Sequence, residues 1–255
     1  MHSVANYLII HKESPINIGG ANSGAETATL ALAEYLAKLG KRVVVAGQIE
    51  GEVSELAGIE FWDLGESFDV VAAAERAREL GEYHLISAGR AIPFFVFRNE
   101  LQCKSKILIS HDRSGNDTGV KPQVLSTLVE RVVCVSNAQA SVLHADGLPQ
   151  ELTSVIHNGV NLDLFPAGAP EERDWQKLVF SGALIQDKGI HVLLEAYSHL
   201  KAKYAGLSLD VFGSASLWGR EEMFDSAQLE AQLPGVRFHG RVPQAVIAEG
   251  FRRAG

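Results

Sequence analysis

Short apolar runs alternate with stretches of helical periodicity along the chain. Tyr7-Leu8-Ile9-Ile10 is apolar at consecutive positions, the pattern of a parallel strand buried on both faces. A loop rich in Gly, Ser, Asn and Pro follows at residues 13–22. Over residues 24–39, Ala28, Ala31, Leu32, Tyr35, Leu36 and Leu39 recur at helical spacing, and Gly40 supplies the stop. Val43-Val44-Val45-Ala46-Gly47 reads as a second strand. The chain therefore opens as strand, loop, helix, strand, the start of a doubly wound sheet.

The alternation continues with a helix over residues 68–80 and strands over 84–87, 107–110, 131–136 and 153–156. The strand over 131–136 feeds a helix through Ser136 and Asn137, both good N-caps. Strands separated by helices predict a parallel sheet with right-handed crossovers. Pro166, Gly168 and Pro170 cluster in a linker over residues 160–172. A second unit follows: strands over 178–181, 207–213 and 235–240, a helix over 190–203, and a short helix near Gly255. The expectation is an α/β chain of two Rossmann-like parallel-sheet domains, residues 1–165 and 166–255. The second is incomplete, with about three strands against the usual five or six. One sheet edge and one hydrophobic face of that half would lie uncovered.

Composition narrows the function classes. A length of 255 residues suits two modest domains. A net charge of -8 argues against broad nucleic-acid binding, which needs a basic face. Cys103 and Cys134 are too few for a disulfide scaffold, and Cys134, within an apolar run, reads as a buried inert thiol. No C-x-x-C or H-E-x-x-H spacing points to a protein-held metal. Residues 1–10 lack the pattern of a signal peptide, and no apolar run is long enough to span a bilayer, so the expected compartment is the cytoplasm. Ile92-Pro93-Phe94-Phe95-Val96-Phe97-Arg98, edged by Lys104 and Lys106, reads first as a core helix with a charged end. Peripheral contact with the inner face of a membrane is its minority reading.

Three loops carry candidate chemistry. Gly19-Gly20-Ala21-Asn22-Ser23-Gly24 lies between the first strand and the first helix, where backbone amides and the helix terminus favour an anion. The plain alternative is a flexible turn. It is not G-x-G-x-x-G, and Val45-Ala46-Gly47-Gln48 offers no acid for a ribose hydroxyl, so a nicotinamide cofactor is disfavoured. His111 opens a polar loop at the carboxyl end of a strand, with Asp112 and Arg113 beside it. Lys188, in a loop between strand and amphipathic helix, can meet a diphosphate as a compact charge.

The segment His157-Asn158-Gly159-Val160-Asn161-Leu162-Asp163-Leu164-Phe165, then Phe180-Ser181-Gly182-Ala183-Leu184 and Asp187-Lys188-Gly189-Ile190, resembles the retaining nucleotide-sugar glycosyltransferases of family four, with their GT-B fold. The resemblance implies a donor, UDP-sugar by family frequency, whose diphosphate sits in the gap between the halves. Gly19-Gly20, or Gly24 in Gly24-Ala25-Glu26, meets that diphosphate from one half and Gly182 with Lys188 from the other. His111 lies near the transferred sugar; Asp112 and Arg113 face the acceptor; Gly213 lies beside the donor. Arg241 and Val242 back onto the base. No cofactor beyond the donor is implied, and the acceptor is a sugar or a lipid-linked sugar. Ala183 stands where many members carry arginine, which removes a charged contact. The family's two glutamates, eight positions apart, do not follow His239-Gly240-Arg241, and Glu221 with Glu230 has the wrong spacing. The chain is therefore expected to be weakly active or inactive alone unless a homo-oligomer or a completing segment supplies them. Two other readings stand beside it: a nucleotide-sugar epimerase of the same fold, and a non-catalytic binding module.

Overall fold

The computed structural model describes residues 6–12, 14–20, 22–51, 55–56, 58–111, 118–215 and 225–255. They form two compact units, Met1–Gly159 and Val160–Gly255. In the first unit the elements are β1 (Asn6–His11), β2 (Ile16–Asn17), α1 (Gly24–Lys38), β3 (Arg42–Gly47), β4 (Ile49–Glu50), β5 (Glu55–Leu56), β6 (Ile59–Asp63), α2 (Val70–Ala77), β7 (Tyr83–Ala88), α3 (Ile92–Val96), β8 (Cys103–Ser110), α4 (Pro122–Leu125), β9 (Arg131–Cys134), α5 (Asn137–Ala145) and β10 (Thr153–Val155). The main sheet runs β10-β9-β8-β7-β1-β3-β6-β5. Its first seven strands are parallel, and β5 adds antiparallel to β6. A second, two-stranded pair joins β2 to β4.

Successive residues of β1 explain why its apolar run is continuous. Leu8 and Ile10 face the core that contains α2 and α3, while Ile9 faces the core against α1. All three are fully buried, as a strand covered on both faces requires. The chain builds outward from β1 to β3 and β6, then returns to β7 on the other side of β1. The strand order thus reverses between β1 and β7, the switch point where open α/β sheets take ligands at their carboxyl ends.

The strands β2, β4, β5 and β6 are not expected from the sequence, and one expected helix starts late. The helix expected from residue 68 begins at Val70, because the Asp69 carboxylate caps it by accepting from the Ala72 amide at 3.0 Å, while Phe68 adopts φ +53°. The 92–98 segment is a short helix with Phe94 and Phe97 fully buried, although Ile92 and Phe95 remain partly exposed.

The second unit contains β11 (Lys177–Ser181), α6 (Ile190–Lys201), β12 (Ser208–Phe212), α7 (Ser226–Gln232), β13 (Val236–Gly240) and α8 (Gln244–Arg253). Its three described strands are parallel in the order β11-β12-β13. Leu209, Val211 and Val236 pack with Ile190, Leu194 and Tyr197 of α6. The opposite face is not the bare apolar surface the sequence suggests. α8 approaches it through Gly250, where a Cβ would lie 2.9 Å from the Phe212 ring. The rest of that face is polar: Asp210 pairs with Lys177 at 2.6 Å and with His239 at 2.8 Å. Burial pushes the Asp210 carboxyl up, but these two partners hold it below its ordinary value.

Candidate functional site

In the first unit the glycine loop joins β1 to α1 at the switch point. Gly19 has φ +80°, a conformation that favours glycine. Gly20 passes so close to Asn17 that a Cβ would lie 2.1 Å from its Oδ1. The loop is closed by Asn17 and Asn22: the Asn17 amide donates to Asn22 Oδ1 at 2.8 Å, and Asn22 Nδ2 donates to the Asn17 carbonyl at 2.8 Å. The β2–β4 pairing straps the same loop to the segment after β3. Gly24 is the first residue of α1, and a Cβ there meets nothing within 4 Å.

Beneath this loop lies a buried polar cluster that sequence reasoning missed. Glu26, 1% exposed, accepts from His11 Nε2 at 3.1 Å and from the hydroxyls of Ser14 and Ser23. His11, also 1% exposed, closes β1 and places Nδ1 3.0 Å from the Thr29 hydroxyl. Burial would raise the Glu26 pKa, but the hydrogen bonds from His11, Ser14 and Ser23 outweigh it and hold the carboxyl at about 2. The Ser23-x-x-Glu26 spacing was the available signal, since it is that of a capping box before an apolar run.

His111 directly follows β8 and is half-buried. The end of β8 is pinned by Gln139 of α5, whose Nε2 donates to Ser110 Oγ at 2.7 Å while its Oε1 accepts from the Val135 amide at 2.9 Å. His111 and the glycine loop therefore sit on the same carboxyl edge, after β8 and β1, with β7 between those strands. Asp112 and Arg113 lie outside the described residues.

In the second unit the structure brings Gly182 and Gly213 together. The Gly182 amide donates to the Phe212 carbonyl at 3.0 Å, and the Gly213 amide to the Gly240 carbonyl at 2.8 Å. A Cβ on Gly213 would lie 1.9 Å from the Gly182 oxygen. Arg241, exposed, and Val242, half-buried, continue from β13 on this same edge. The loop after β11 anchors itself through buried Ala183, Leu184 and Ile185, then turns through Gln186–Lys188 to Gly189, whose φ of +73° starts α6. Lys188 is exposed there. These loops share the carboxyl edge of one parallel sheet and could present amides and an ammonium to an anion. A separate cavity of about 410 Å³, lined by Lys177, Ser208, Asp210, Gly235, Arg237 and His239, includes residues at the strand starts and lies away from that edge. Among the described residues no group of three or more His, Cys, Asp or Glu side chains could hold a metal, and no helix is long and apolar enough to cross a membrane.

The model of the family described as Glycosyltransferase Family 4 matches residues 22–164, more than half of the chain. Among solved structures, HepE of Anabaena in complex with UDP-glucose is similar with a TM-score of 0.65 at 19% identity, covering 93% of this chain and 70% of that one. WaaG, a glycosyltransferase involved in lipopolysaccharide biosynthesis, gives 0.63 at 12% identity, with 96% and 73% covered. The UDP-N-acetylglucosamine 2-epimerase of Rickettsia bellii gives 0.54 at 12% identity, with 94% and 69% covered. No curated protein matches the chain in sequence.

Proposed function

The chain belongs to glycosyltransferase family 4, and on that premise we propose that it transfers a sugar from a UDP-sugar to an acceptor hydroxyl with retention at the anomeric carbon. The bond from the anomeric carbon to the diphosphate oxygen breaks, a bond to the acceptor oxygen forms on the same face, the acceptor's proton passes to the departing diphosphate oxygen, and UDP leaves. The observation that carries this reading is the family match over residues 22–164, which includes both the helix behind the glycine loop and His111. The α/β architecture, shared with structures of the GT-B type, agrees with it.

In this proposal negative charge grows on the departing diphosphate, and the protein's task is to stabilise it with preset donors. Lys188 supplies the ammonium; Gly182 and Gly213 allow close backbone approach; Arg241 and Val242 flank the base. Gly19, Gly20 and Gly24 meet the donor from the first unit, and His111 contacts the sugar in flight. Asp112 and Arg113 face the acceptor, a sugar or a lipid-linked sugar. The donor is the only small molecule besides the acceptor that the reaction calls for.

The epimerase among the similar structures makes isomerisation the competing reading. Incubation with UDP-glucose, UDP-galactose and UDP-N-acetylglucosamine, with oligosaccharide acceptors, separates the two. Transfer yields free UDP and a new glycoside in equal amounts, and NMR shows the donor's anomeric configuration kept. An isomerised sugar without glycoside favours the epimerase, and no heat of binding with UDP or any donor overturns both.

A further inference from the structure

We propose that Glu26 is a positioning residue that presets the loop between β1 and α1 for the donor, an inference that rests on the transfer reading above. A carboxylate this buried persists only when its oxygens are satisfied. Here the partners come from both sides of the loop. His11 is the last residue of β1, Ser14 stands at the loop's start, and Ser23 stands at its end as the N-cap of α1. One side chain in the first turn of α1 thus fastens both ends of the segment that carries Gly19 and Gly20. Thr29, one turn farther along α1, fixes the His11 ring from the helix side.

The choice of residue argues for geometry over stability. Burying a hydrogen-bonded charge gains little over an apolar side chain of similar size, whereas it fixes its partners in direction. Ser23 shows the effect. As N-cap it makes no side-chain hydrogen bond to the helix amides, because its hydroxyl is turned to Glu26. Asn17 and Asn22 close the middle of the same loop independently. The loop is therefore held at its two ends by Glu26 and across its middle by the asparagine pair, and Glu26 links it to the end of β1 through His11.

Two variants of the full chain test this: Glu26→Gln, which keeps size but exchanges one acceptor oxygen for a donor, and the double variant Ser14→Ala with Ser23→Ala, which leaves the Glu26–His11 pair intact. Hydrogen exchange by mass spectrometry reads the loop, and calorimetry with UDP-glucose reads the donor, at a temperature where circular dichroism shows all proteins folded. In both variants amide exchange over residues 14–24 should quicken about tenfold more than exchange in β1, β3 and β7, and the Kd for UDP-glucose should rise about tenfold, the loss of roughly one hydrogen bond's ordering. Lys188→Ala, by contrast, should weaken UDP-glucose and leave loop exchange unchanged. The proposal is overturned if loop exchange and affinity stay as they were in both variants. It is equally overturned if exchange quickens throughout the sheet with affinity unchanged, the mark of a merely structural role. An unmodified chain that takes up no UDP-glucose sinks the transfer reading by itself; loop-confined exchange in the variants still upholds the latch, and unchanged exchange removes it.

Discussion

At the scale of single residues, Gly213 and Gly24 are opposites. Gly213 has φ +123°, and a methyl there would stand 1.9 Å from the Gly182 carbonyl oxygen. Neither backbone can retreat without breaking the hydrogen bond from Gly182 to Phe212. Gly213→Ala should therefore cost roughly 3 kcal/mol or more, read as a lower urea midpoint at unchanged slope. Gly24 opens α1, and a methyl added there would meet nothing within 4 Å, so Gly24→Ala should be neutral or stabilising by up to about 1 kcal/mol. Lys188 is exposed, so Lys188→Ala should leave the melting temperature within about 2 °C of the parent. Under the proposed function its effect belongs to the donor: losing a charge-assisted contact to the diphosphate should raise the Kd for UDP-glucose about ten- to a hundredfold. Calorimetry showing equal affinity in parent and variant would remove Lys188 from the site.

At the scale of elements, the amino end of α1 governs the response to acid. The Glu26 carboxyl titrates at about 2 in the folded chain and near 4.3 when unfolded. A depressed pKa contributes stability that is complete above about pH 5 and is lost as pH falls through 4 toward 2. The contribution is on the order of 3 kcal/mol, so Glu26→Gln should flatten the fall of the urea midpoint between pH 5 and 2. An identical fall in parent and variant would refute it. The same element shows where sequence reading stops. The long strands were legible because β1, β3 and β7 are buried on both faces: β1 and β3 read as unbroken apolar runs, and β7 keeps Leu85 and Ile86 at its centre. The strands β2, β4 and β5 were not, because two-residue strands carry no periodicity and depend on a partner outside their own segment, and β6 was not, because Glu60 and Asp63 interrupt its apolar residues. Glycine loops announce themselves by composition. The His11–Glu26 cluster does not, because its members become neighbours only when α1 packs on β1; Ser23-x-x-Glu26 hinted at a cap but not at a histidine beneath it.

At the scale of the whole molecule, the two units differ in how fully each covers its own sheet. The first unit buries its parallel sheet on both faces, with separate cores against α1 and against α2 and α3. In the second, α6 covers one face of the three described strands, while the other leaves Lys177, Asp210 and His239 partly exposed beside α8. Residues 1–159 hold most of the doubly covered sheet and should unfold cooperatively when expressed alone, with a melting transition by circular dichroism close to that of the whole chain. That fragment retains the glycine loop, the Glu26 cluster and His111 but lacks Gly182, Lys188, Gly213, Arg241 and Val242. If the donor is held chiefly by the second unit's carboxyl edge, the folded fragment should bind UDP at least about a hundredfold more weakly than the full chain, since it loses the ammonium and the base contacts together. Calorimetry on both proteins at the same salt concentration decides the matter, because a diphosphate contact is sensitive to ionic strength. Equal affinity for UDP in fragment and full chain would transfer the nucleotide site wholly to the first unit and leave Lys188 without a role in donor binding.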